Sequence, residues 1–137
     1  MPSKINHIGI AVPDIEAAAE FYTKHLGLEL GGVEEVPDQK VKVAFLPIGE
    51  VRLELVQPTS PESPVAKFLE RNGPGFHHIA YQVDDVAAEV ERLKAEGVRM
   101  VDQTPRSGAH NTRIAFVHPK ASGGVLTELV QEMGEHG

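Results

Sequence analysis

Four residues stand out as able to do chemistry: His7, Glu54, His78 and Glu128. Each histidine opens a run of alternating character, "HIGIAV" or "HIAYQV", and each glutamate begins the same word, "ELVQ", at Glu54-Leu55-Val56-Gln57 and Glu128-Leu129-Val130-Gln131. The glutamate follows its histidine by 54 − 7 = 47 positions in the first case and 128 − 78 = 50 in the second. A carboxylate inside an apolar run is costly unless it is paired or metal-bound. Two neutral imidazoles and two carboxylates suit a divalent cation, whose charge offsets the buried anions. Nitrogen and oxygen donors without sulfur fit zinc, cobalt, nickel or manganese. With open coordination positions such an ion would polarise a substrate carbonyl.

The elements that must position these residues come in two copies. "HIGIAVPDIEAA" from His7 aligns with "HIAYQVDDVAAE" from His78 at an offset of 78 − 7 = 71, and "VAFL" from Val43 aligns with "IAFV" from Ile114 at 114 − 43 = 71. The ELVQ words follow at 128 − 54 = 74, with three extra residues absorbed in "HPKASGG". A tandem duplication of βαβββ modules accounts for this, the period being too long for a solenoid.

In the first module, residues 4–12 read as a strand with His7, Gly9 and Ala11 on one face and Ile8, Ile10 and Val12 on the other. Asp14 caps a helix over "IEAAAEFYTKHL" that closes at Gly27, and strands follow at 28–36, 41–48 and 51–57. The second module repeats the order: a strand at 76–83, a helix from Asp84 or Asp85 to about Glu96, and strands near 98–103, 112–118 and 125–131. Ser63-Pro64 predicts a short helix over 64–72 in the bridge. The expected organisation is one domain: module one at about 4–57, a bridging segment 58–75, module two at about 76–131 and a tail 132–137.

Charge and composition narrow the partners. Thirteen Lys and Arg against twenty Asp and Glu leave 13 − 20 = −7, which argues against nucleic acid. There is no cysteine, hence no disulfide framework or thiolate site. No run approaches the roughly 20 apolar residues of a membrane span, and "MPSKINHIGIAV" lacks the apolar segment of a signal peptide, so a soluble cytoplasmic protein is expected. Among the other histidines, His77 points away from the His78 face, His25 suits a helix C-terminus, His136 falls in the tail, and His110 and His118 lie in or beside loops. "GPG" and "SGG" lack phosphate-loop spacing and read as turns.

"NHIGIAVPDIEAAAEFY", "GFHHIAYQVDDV", "HPKASGGVLTELVQ" and the linker "SPESPVAKFLERNGPGFHHI" resemble the vicinal oxygen chelate superfamily, and within it the methylmalonyl-CoA epimerase family, from about Ile5 to Gln131. The resemblance implies an α+β fold in which the two βαβββ modules form a curved, partly open mixed sheet around a divalent metal, assembled as a homodimer. It places His7, His78 and Glu128 at the metal ligands and Glu54 at the fourth, which in some relatives is Gln. It implies epimerisation of (2R)- and (2S)-methylmalonyl-CoA through a metal-stabilised enolate, with Glu128 as ligand and base. Some relatives have a Glu, proposed as the second base, where this chain has Val43; Glu54 or an ordered water is the expected substitute. Acyl-CoA phosphates call for a basic patch, with Lys120, Arg106 and Arg113 as its candidates.

The alternatives are a glyoxalase I type lactoylglutathione lyase, whose His, Glu, His, Glu pattern this chain also matches, and a drug-sequestering binding module, which generally lacks the ligand set. An extradiol dioxygenase, with two His and one Glu for iron and typically a longer chain, fits less well.

Overall fold

The computed structural model describes residues 1–134; His136, assigned to the tail, lies outside the described residues. The chain forms an α+β fold of two βαβββ modules and groups into two compact units, His7–His77 and the chain from His78 together with Met1–Asn6.

In the first unit β1 (Lys4–Ala11) runs parallel to β4 (Val51–Pro58), which pairs antiparallel with β3 (Val41–Ile48), itself antiparallel to β2 (Gly32–Val36). Asp14 accepts a hydrogen bond from Glu16 N at 3.1 Å and starts α1 (Ile15–Glu20), which is shorter than expected. The chain then widens into a π-helical turn, Phe21–His25, closed by Leu26 N to Phe21 O at 3.2 Å. Gly27 supplies the left-handed exit at φ 75°. Val12, Ile15, Ala19, Ala44, Leu46 and Leu55 form the core between helix and sheet. Residues 28–31 do not join the expected strand, although Gly31 N donates to Phe45 O at 2.7 Å.

The bridge contains α2 (Pro64–Asn72), where Ser63 Oγ accepts from Val65 N at 3.2 Å. Its bounds coincide with the 64–72 expected from Ser63-Pro64.

The second unit repeats the order. β5 (Gly75–Gln82) begins within the first unit's last residues and pairs parallel with β8 (Thr127–Glu132), β8 antiparallel with β7 (Thr112–Val117), and β7 with the short β6 (Arg106–Gly108). Read from each first strand, the sequences of neighbours β1-β4-β3-β2 and β5-β8-β7-β6 are the same. Asp85 caps α3 (Val86–Ala95), which buries Val86 and Val90 against Met100, Ala115, Val117 and Leu129.

One expected strand is corrected. Residues 98–103 make only a bridge at Met100 to Val117, and the strand lies later, at Arg106–Gly108. The Asp102 carboxylate accepts the Phe116 amide hydrogen at 2.8 Å, so a side chain takes the place of a ladder bond there. No helix of the described residues is long and apolar enough to cross a membrane.

Candidate metal centre

Strand register explains how each module pairs its two ligand-type side chains. In the first unit His7 lies opposite Arg52 and Gly9 opposite Glu54 on neighbouring parallel strands, which puts His7, Arg52 and Glu54 on one face. His7 Nδ1 is 3.3 Å from Glu54 Oε2. Arg52 Nη2 donates to the same Oε2 at 3.4 Å. In the second unit Ala80 lies opposite Glu128, so His78, two residues earlier on β5, shares its face, and His78 Nε2 is 3.0 Å from Glu128 Oε1. All four side chains are 6–7% exposed. Ligand atoms bonded at about 2.0–2.2 Å and at right angles on one ion stand about 3 Å apart. Each buried nitrogen and oxygen pair therefore has the spacing of two neighbouring ligands on a divalent cation.

Each glutamate also faces a phenylalanine across the antiparallel pair: Phe45 opposite Glu54, Phe116 opposite Glu128. Each phenylalanine carries a guanidinium over its ring, Arg52 at 5.7 Å from the Phe45 centroid and Arg106 at 5.8 Å from that of Phe116. His78 meets Phe116 edge-on, with centroids 5.6 Å apart. The rings wall the pairs with apolar surface, which strengthens electrostatic contacts there.

Residues 6–116 match the Glyoxalase/Bleomycin resistance protein/Dioxygenase superfamily. The ethylmalonyl-CoA/methylmalonyl-CoA epimerase of Cereibacter sphaeroides is 44% identical over 133 residues, covering 96% of this chain and 99% of the relative. A solved variant of Streptomyces coelicolor methylmalonyl-CoA epimerase, in complex with 2-nitronate-propionyl-CoA, superposes with a TM-score of 0.94 at 41% identity, covering 98% of this chain and 97% of that one. The chain belongs to the methylmalonyl-CoA epimerase family. A probable lactoylglutathione lyase of Vibrio cholerae is more distant than those epimerases, 32% identical over 97% of this chain and 94% of its own.

Against the epimerase expectation, the remaining residues fall as follows. Val43 is buried on the face of β3 that carries Phe45, opposite Glu34 on one side and Val56 on the other. Arg106 Nε lies 3.1 Å from Asp102 Oδ1. Arg113 is exposed on β7 between Ser107 and Gln131, and Lys120 is exposed in the 3-10 turn Pro119–Ala121. His77 packs edge-on against Phe68, with centroids 4.9 Å apart. His25 lies near Phe21 in the π-helical turn, and His110 occupies a left-handed turn position at φ 65°. His118 Nδ1 accepts from Lys120 N at 3.0 Å. Burial first, then the charges of Arg99 and Lys120, hold its imidazole below the usual histidine range.

Sequence reasoning passed over Arg52 and the glutamines of ELVQ. Gln57 Oε1 accepts from Ile15 N at 2.8 Å, so the last residue of the first word fastens the start of α1. The signal for both was present: Arg52 is two residues from Glu54 on one strand, and glutamine recurs with glutamate in both copies.

Proposed function

We propose that this protein interconverts the two C2 epimers of methylmalonyl-CoA, using one divalent cation, cobalt, zinc, nickel or manganese, held by His7, His78 and Glu128 with Glu54 as the fourth ligand. The observation that carries the reading is a buried histidine and glutamate pair repeated in two modules of a chain from this family. The methylmalonyl-CoA epimerase and ethylmalonyl-CoA/methylmalonyl-CoA epimerase names of the relatives supply the substrate class.

When bound, the cation supplies a Lewis acid that draws charge toward the thioester oxygen and so acidifies the C2 proton. Glu128 removes the C2 proton of one epimer and, in the reverse direction, delivers a proton to that same face, as a carboxylate within hydrogen-bond reach of C2 can. On the other face valine at position 43 moves no proton, and Glu54 or an ordered water takes the part. Lys120, Arg106 and Arg113 are assigned to the coenzyme A phosphates. The protein acts in the cytoplasm as a homodimer, for which the exposed Phe21, Leu26 and Leu30 offer apolar surface.

Metal analysis of the purified protein, with turnover assays on methylmalonyl-CoA and on the hemithioacetal of glutathione and methylglyoxal, tests the reading. One equivalent of divalent ion per chain and turnover of the thioester are expected. Turnover of the hemithioacetal alone would make the protein a lyase, and a metal-free inactive protein would make it a binding module.

A further inference from the structure

Met100 and Val117, both buried, lie opposite each other in the bridge that joins residues 98–103 to β7. His118 N donates to Arg99 O at 3.0 Å and Val101 N to Phe116 O at 2.9 Å, so the antiparallel pairing runs one step further and sets Arg99 opposite His118. Side chains alternate along such a pair. Met100 and Val117 enter the core, and Arg99 and His118 therefore turn to the other face, which Phe116 shares. That is the face on which Phe116 meets the His78 ring edge-on and lies opposite Glu128. Side chains directly opposite each other stand about 5 Å apart at Cβ, and Arg99 is exposed.

Lys120 joins this pair. Its backbone N donates to His118 Nδ1 at 3.0 Å, which leaves the proton of a neutral imidazole on Nε2 as a donor. After burial, the influences on that imidazole are the charges of Arg99 and Lys120, so three basic side chains stand within electrostatic reach of one another. Elsewhere cations are met by acids: Arg92 lies beside Glu89 and Glu96, Lys94 beside Glu91, and Lys40 beside Glu62. Among the described residues no carboxylate lies within salt-bridge distance of Arg99 or Lys120. In a chain of net charge −7 such a group reverses the local sign and attracts an anion. We propose that Arg99 and His118, with Lys120, form a phosphate-binding site that takes the phosphate-bearing end of an acyl-CoA, an assignment that rests on the epimerase reading. The Arg99 guanidinium presents a fork to phosphate oxygens, Lys120 a compact ammonium and His118 its Nε2 hydrogen.

The test measures KM for methylmalonyl-CoA and for methylmalonyl-pantetheine, the same thioester without phosphates, on metal-loaded wild type, Arg99→Gln, His118→Asn and Arg71→Gln. His118→Asn keeps a side-chain acceptor for the turn and removes the ring donor. Arg71→Gln deletes the same charge from the exposed end of α2. Arg99→Gln is expected to raise KM for methylmalonyl-CoA about 5- to 20-fold and His118→Asn about 3- to 10-fold, with rises below about twofold for the pantetheine thioester. Arg71→Gln should stay within about twofold for both, and the Arg99→Gln effect should shrink between about 0.05 and 0.5 M salt. No rise for methylmalonyl-CoA in Arg99→Gln or in His118→Asn, equal rises for the two thioesters, or a matching rise in Arg71→Gln would each overturn the assignment. Inorganic pyrophosphate that binds wild type and not Arg99→Gln, with KM for methylmalonyl-CoA unmoved, would make this a site for free anions and overturn it too. If wild type turns over neither thioester, the epimerase reading fails and takes this assignment with it.

Discussion

Gln131 Oε1 accepts the backbone hydrogen of Val86 at 3.0 Å, tying the last residue of the second ELVQ word to the first turn of α3. Glu128, three residues earlier on the same strand, faces the opposite side of the sheet. One short word therefore places a buried carboxylate on one face and fastens a helix to the other, and Gln57 does the same for Ile15. Replacing Gln131 by Ala should cost about 1 kcal/mol of stability, as for a lost helix cap. Gln131→Glu, which keeps an acceptor at a helix N-terminus, should retain most of it. Denaturant unfolding of both variants checks this.

Chelation should abolish turnover and lower the unfolding midpoint, and a divalent ion should restore both, since a ligand that binds only the folded state stabilises it. Glu128→Gln and His78→Ala should each reduce metal retention by at least about tenfold, as each removes a donor from a coordination shell. Metal content after dialysis is the measurement.

Solvent deuterium incorporation separates the two proton transfers. Glu54→Gln should suppress exchange starting from one epimer and leave exchange from the other within about threefold, as expected if general bases on the two faces act separately. Unchanged exchange from both would remove Glu54 from proton transfer and leave water as the second base.

His118 should titrate below the usual histidine range by NMR, and Arg99→Ala should raise its value by removing a neighbouring positive charge. Because folding lowers this pKa, the neutral imidazole stabilises the turn fully above the ordinary histidine value. That contribution is lost as the pH falls through the lowered one. Thermal unfolding followed from pH 8 downward should show the wild type losing more of its midpoint over this window than a His118→Ala variant.

Gly108 sits where a Cβ would stand 2.6 Å from Thr112 Oγ1 and 2.7 Å from Ile114 Cγ2. Ile114 is 1% exposed and cannot swing away cheaply. Gly108→Ala should therefore destabilise by about 1–3 kcal/mol, the usual cost of overpacking, with calorimetric unfolding as the readout.

The fold was legible where one residue dictates its own surroundings. Asp14 and Asp85 cap their helices, Ser63 caps α2, and the alternation around His7 and His78 put each on the face its glutamate shares. It was not legible where a distant group decides. Residues 98–103 look like a strand until the Asp102 carboxylate claims an amide of β7, and the π-helical turn arises inside an ordinary helical pattern. Among the ligand-type residues, a histidine and a glutamate announced themselves by repetition. Arg52 did not, because nothing repeats it: the second copy has Leu126 two residues before Glu128.

The two hairpins that lead into the ELVQ strands have parted company. β3 turns into β4 through Gly49 and Glu50 alone, whereas β7 reaches β8 only after the stretch from His118 to Leu126. Length has been added where it disturbs neither histidine–glutamate pair, so two modules built to one plan differ at their returns and agree at their ligands.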